Sequence, residues 1–78
     1  MTNKTRTSDT LAICLRNDGY RASLERRKLY RIVADPAAAR HGQLRVIDES
    51  GEDYLYPKDY FVLVRLRVSI KRAVLKAA

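Results

Sequence analysis

Five short stretches of apolar, β-branched and aromatic residues, set between turn signals, read as strands, and a helical period takes over only at the end of the chain. In the stretch 11–16, Leu11, Ile13 and Leu15 share one face and Cys14 lies on the other, which predicts a half-buried strand with its odd positions inward. Residues 29–34 (LYRIVA) are rich in β-branched and aromatic side chains, as strands are. Residues 43–48 follow, with Leu44 and Val46 on one face and Arg45 and Ile47 on the other. A fourth strand is expected over 53–56 and a fifth over 61–68, where Val62, Val64, Leu66 and Val68 oppose Arg65 and Arg67. Leu55 and Val62 are expected to point inward. Ile70, Ala73, Val74 and Ala77 then recur at helical spacing behind Ser69, a suitable N-cap.

The connections carry their own signals. Asn17-Asp18-Gly19 marks a turn that opens a long excursion, and Arg26-Arg27-Lys28 leads out of it. Asp35 can cap a helical turn begun by Pro36, and Gly42 supplies its left-handed stop. Ser50-Gly51 sits in a hairpin, and Pro57 ends the fourth strand because it has no ladder donor. Residues 58–60 should form one tight turn. This order gives an all-β domain: a five-stranded antiparallel barrel over 11–68, a flexible basic tail over 1–10, and a short C-terminal amphipathic helix over 69–78.

Composition narrows the function classes. Sixteen Lys plus Arg against nine Asp plus Glu leave a net charge of +7, which attracts polyanions, nucleic acid above all. One cysteine excludes an internal disulfide framework and fits a reducing, cytoplasmic setting. The first ten residues lack the apolar segment of a secretory signal, and no apolar run approaches the roughly 20 residues of a membrane span. No metal or cofactor is expected, because the acids at 48, 49, 52 and 53 lack the spacing of a calcium loop and instead suggest a solvated hairpin. Cys14 with His41 is the one conceivable nucleophile pair, without an evident orienting group, so no enzymatic activity is expected.

The stretch Tyr54-Leu55-Tyr56-Pro57-Lys58-Asp59-Tyr60-Phe61-Val62 gathers four of the six aromatic residues around a proline. It resembles the closing motif of the Src-homology-3-like barrel, in which a strand ends at proline, turns tightly and re-enters through tyrosine and valine. Residues 22–33 are similar to the end of that family's long loop and its second strand, so the resemblance covers about residues 11–66. The segment VIDESGEDYLYP also resembles a group of small uncharacterised bacterial proteins. The barrel resemblance implies a protein-interaction module, with Pro57 and Tyr60 lining a groove and Tyr20 contributing from the long loop. Peptide-binding members carry a tryptophan at the start of the third strand, where this chain has Gln43 and Leu44. They also carry acids in the long loop, where this chain has Arg21, Arg26 and Arg27.

Two functions are therefore expected as alternatives. In one, a protein partner docks on Tyr20, Tyr54, Tyr56, Pro57 and Tyr60. In the other, RNA or DNA binds Arg21, Arg26, Arg27, Lys28, Arg31, Arg45, Lys58, Arg65 and Arg67, with tyrosines stacking on bases. The tyrosines have a plain structural reading as well, the covering of a small core. No membrane partner is expected, and a homodimer through the C-terminal helix is compatible with either function.

Overall fold

Five strands, a helical turn and a terminal helix follow one another in the computed structural model, which describes residues 10–77; residues 1–9 of the tail expected over 1–10 lie outside the described residues. The elements are β1 (Thr10–Cys14), β2 (Leu29–Val33), α1 (Pro36–Arg40), β3 (Gln43–Ile47), β4 (Asp53–Pro57), a 3-10 turn (Lys58–Tyr60), β5 (Phe61–Val64) and α2 (Val68–Ala77). Thr10, expected in the tail, opens β1. All pairings are antiparallel and the strand order is β4-β3-β2-β1-β5. Strands β4 and β5 are the two edges, so the five-stranded sheet is not closed by a hydrogen-bonded seam among the described residues.

Local chemistry explains the connections. The Asp35 carboxylate accepts the Ala38 N–H at 3.1 Å and Pro36 opens α1, as the capping pattern predicts. Gly42 follows with φ +71°, the left-handed region that ends a helix cheaply only at glycine. Between β3 and β4, Gly51 N–H donates to Asp48 C=O at 2.9 Å and Asp48 N–H to Glu52 C=O at 3.0 Å. With Gly51 at φ +85°, this is a turn closed by a glycine bulge, and Asp48 holds its first position.

Cross-strand partners share a face, so the register sorts the side chains. One face holds Ala12, Cys14, Tyr30, Ile32, Val46, Tyr56 and Phe61, which with Leu24 of the long loop form the buried core. The other face carries Leu11, Arg31, Ile47 and Asp53 in one row. Arg31 donates from that face to the Leu75 carbonyl at 3.2 Å, which places α2 there.

Several expectations are overturned by this register. The inward positions of β1 are Ala12 and Cys14, and Leu15 is half exposed beyond the end of the strand. Tyr56 and Phe61 point into the core, whereas Leu55 and Val62 are exposed. The fifth strand stops at Val64, and Val68 belongs to the helix. Lys71 N–H donates to Arg67 C=O at 2.8 Å, so the helix begins behind Arg67 and Ser69 lies in its first turn.

Candidate functional site

The long loop between β1 and β2 is tied across the face of the sheet by backbone bonds at both ends. Cys14 N–H donates to Lys28 C=O and Arg27 N–H to Cys14 C=O, while Leu15 and Arg16 N–H both reach Tyr60 C=O. Leu24, 1% exposed, plugs the loop into the core. The loop thereby lays Tyr20 against the core tyrosine of β4: the Tyr20 and Tyr56 ring centroids are 4.9 Å apart at 84°. Tyr20 also stands edge-on to Tyr60 at 6.0 Å.

An open cavity of about 420 Å³ lies beside this contact, lined by Tyr20, Ser23, Asp48, Ser50, Tyr54, Leu55 and Tyr56. Its floor is Asp48, 6% exposed. The Tyr56 hydroxyl donates to Asp48 Oδ2 at 2.5 Å. With that proton committed, the Ser23 hydroxyl, 2.9 Å away, is left to donate to the phenol oxygen. Asp48 Oδ1 accepts both the Ser50 N–H at 2.9 Å and the Ser50 hydroxyl at 2.6 Å. Burial pushes the Asp48 carboxyl up, but the bonds from Ser50 and Tyr56 outweigh it and hold the group below its ordinary range. Burial and the bond to Asp48 in turn raise the Tyr56 phenol.

A parallel pair stands beside it. The Tyr30 hydroxyl donates to Glu49, accepts the Glu25 N–H at 2.7 Å, and Lys28 reaches Glu49 at 2.7 Å. The bonds from Lys28 and Tyr30 lower Glu49. The expectation of a solvated acidic hairpin fails at Asp48, which is buried; Glu49, Glu52 and Asp53 are exposed, although Glu49, like Asp48, anchors a core tyrosine through its hydroxyl.

The structure gathers three of the five residues expected to meet a partner, Tyr20, Tyr54 and Tyr56, around this cavity. Tyr54 is 50% exposed and donates to Glu52 at 3.0 Å. Tyr60 lies outside the lining, where its hydroxyl donates to Asp18 C=O at 3.0 Å and Arg16 covers its ring at 4.9 Å. Pro57 pairs with Gln43 at the end of β4, also outside the lining. Asp48, Ser23 and Ser50 also line the cavity and carry little signal in the sequence beyond an aspartate at the first position of a turn, which such residues favour for backbone reasons alone.

None of the nine basic residues lines this cavity. Arg45 projects from the face opposite Tyr54 and Tyr56, paired with Asp35 at 2.8 Å and 4.0 Å from Asp53. Lys28 is engaged with Glu49, and Arg31 with α2. Among the described residues Arg21, Arg26, Arg27, Lys58, Arg65 and Arg67 make no ion pair. Arg65 joins Lys71, which was not among the nine, at a separate cavity of about 400 Å³ between β5 and α2.

His41 is exposed with Nδ1 2.9 Å from Ala37 C=O, and Cys14 is buried with its thiol bonded to Arg16 C=O. No group of three or more His, Cys, Asp or Glu among the described residues is placed to hold a metal ion. No described helix is long and apolar enough to cross a membrane. No protein-family model, curated protein or solved structure matches the chain.

Proposed function

We infer that the protein is a non-catalytic interaction module of the Src-homology-3-like type, binding a protein partner through its tyrosine-walled cavity. The strand order β4-β3-β2-β1-β5, the long β1–β2 loop and the 3-10 turn before β5 all support that kinship. The single observation that carries the binding role is the cavity itself: three tyrosines line it, and a few hydrogen-bonding groups converge on it. Sites of this make-up are where proteins take ligands. Tyrosine suits the task, since its rigid ring offers contact area at low entropic cost.

The test is selection of a displayed peptide library against the wild type and a Tyr20→Ala, Tyr54→Ala double variant. Both side chains are exposed, so the variant should keep the fold, whereas removing Tyr56 or Tyr60 would damage it. Peptides retained by the wild type and lost by the variant support the reading. Equal retention by both proteins would end it.

A second reading, binding of RNA or DNA, draws on one observation, the pairing of Arg65 and Lys71 at the β5–α2 cavity with exposed Arg67 between them in sequence. Titration of labelled single and double strands at two salt concentrations, with an Arg65→Ala, Lys71→Ala variant, decides it. A salt slope that the variant does not reduce argues against this surface.

A further inference from the structure

We propose that the tyrosine-walled cavity takes the cationic end of an arginine or lysine side chain from the partner, with Asp48 as its counter-ion. This deepens the interaction reading above and rests on it. The carrying observation is a buried charge with no countercharge. Asp18, Asp35, Glu49 and Asp53 each have a cation within 4.0 Å, yet Asp48, the most buried of the described acids, has none among the described residues. Buried carboxylates are ordinarily paired. Asp48 is met only by neutral donors, the Ser50 N–H and hydroxyl and the Tyr56 hydroxyl. A carboxylate has about four acceptor positions, so one remains, on the oxygen shared with Tyr56.

The walls fit the same ligand. Cations are attracted to the faces of aromatic rings, and the two exposed rings on the lining are Tyr20 and Tyr54, with the buried Tyr56 against Tyr20. The tyrosine rings themselves offer apolar surface for the methylene stem, and the Ser23 and Ser50 hydroxyls give further acceptors. Glu52, held by Tyr54, adds a second negative charge at the rim. A phosphate or carboxylate group would meet these acids unfavourably. The net charge of +7 opposes a cation at long range, but exposed charges beyond about 8–10 Å are largely screened at ordinary salt. In the peptide-binding members of the resembled family the acids lie in the long loop; here that loop carries Arg21, Arg26 and Arg27, and the acid comes from the turn after β3.

Nuclear magnetic resonance titration of the labelled full chain tests this with small probes: Nα-acetyl-arginine amide, Nα-acetyl-lysine amide, the neutral isostere Nα-acetyl-citrulline amide, and inorganic phosphate. The arginine and lysine probes should shift the signals of Tyr20, Tyr54, Tyr56 and Asp48. Citrulline should bind at least about tenfold more weakly and phosphate should leave these signals unmoved. Asp48→Asn, which can still accept the Ser50 N–H, should erase the preference for arginine over citrulline. Should that variant not fold, Tyr54→Ala decides, with an expected loss of several-fold in cation affinity. Equal binding of citrulline, shifts confined to other residues, or an arginine preference untouched in the variants would overturn the proposal. Failure here, beside library peptides that still need Tyr20 and Tyr54, would leave the interaction reading standing. Cation binding without any such peptides would do the reverse.

Discussion

At the scale of single residues, Tyr56 shows how one side chain serves both the core and the site. Its ring is 3% exposed and its hydroxyl satisfies the buried Asp48. Tyr56→Phe should therefore cost about 1–3 kcal/mol, the range for leaving a buried acceptor short of a donor. Tyr54→Phe, at an exposed hydroxyl, should stay within about 0.5 kcal/mol; urea unfolding of both variants measures the contrast. Arg27 is the one described residue other than glycine with a positive φ, at 69°. The left-handed region costs an L-residue roughly 1–2 kcal/mol, partly offset by the greater freedom glycine has when unfolded. Arg27→Gly is expected to stabilise by about 0.5 kcal/mol and Arg27→Val to destabilise, both read from the denaturation midpoint. Gly42 and Asp35 were legible beforehand, because turn and cap chemistry is local. Asp48 was not, because its role depends on Tyr56, eight residues away on the next strand.

At the scale of elements, the strands were recognisable while their facing was not. β1 reads LAIC within a continuous apolar run, and both Leu11 and Ala12 are buried, on opposite faces. A strand covered on both sides carries no alternation to read. The sequence FVLV of β5 is equally ambiguous, and the choice of Phe61 over Val62 is made by pairing: Phe61 stands opposite Cys14 and packs on Tyr30 and Tyr56 at 6.4 and 6.3 Å between ring centroids. Phe61→Ala should destabilise by about 3–5 kcal/mol. Val62→Ala and Leu63→Ala, at 47% and 56% exposure, should each cost under about 1 kcal/mol. Thermal unfolding of the three variants would show the reverse order if the inward position were Val62.

For the whole molecule, the titrating groups define a stability profile. Asp35 is lowered chiefly by Arg45, Glu49 by Lys28 and Tyr30, and Asp48 is lowered because its bonds outweigh its burial. A carboxylate whose folded pKa is depressed contributes stability that is complete above its unfolded value, about 4, and lost as pH falls through the folded one. Tyr30 and Tyr56 are raised by burial and their carboxylate partners, and Cys14 by burial. These acids contribute stability that is complete below their unfolded values, about 8.5 for cysteine and 10 for tyrosine, and lost as pH rises through the folded ones. Unfolding free energy should thus hold a plateau from about pH 5 to about pH 8 and fall on both sides. Urea titrations across pH would contradict this if stability rose above pH 10.

The sequence alone determined what is settled within a few residues: five strands, a capped helical turn after Asp35, a glycine-closed hairpin, a terminal amphipathic helix and the excess of positive charge. These follow from backbone preferences and short periodicities, which neighbouring residues carry between them. Only the tertiary structure decided which face of each strand is inward, that β5 returns beside β1, and that Tyr20 and Asp48 share one cavity. It also separated Arg45 from the tyrosines with which sequence proximity had grouped it. Those outcomes depend on register and loop path, and a one-residue change of register exchanges the two faces of a strand. Where apolar side chains occupy both faces, only packing against distant partners selects between them.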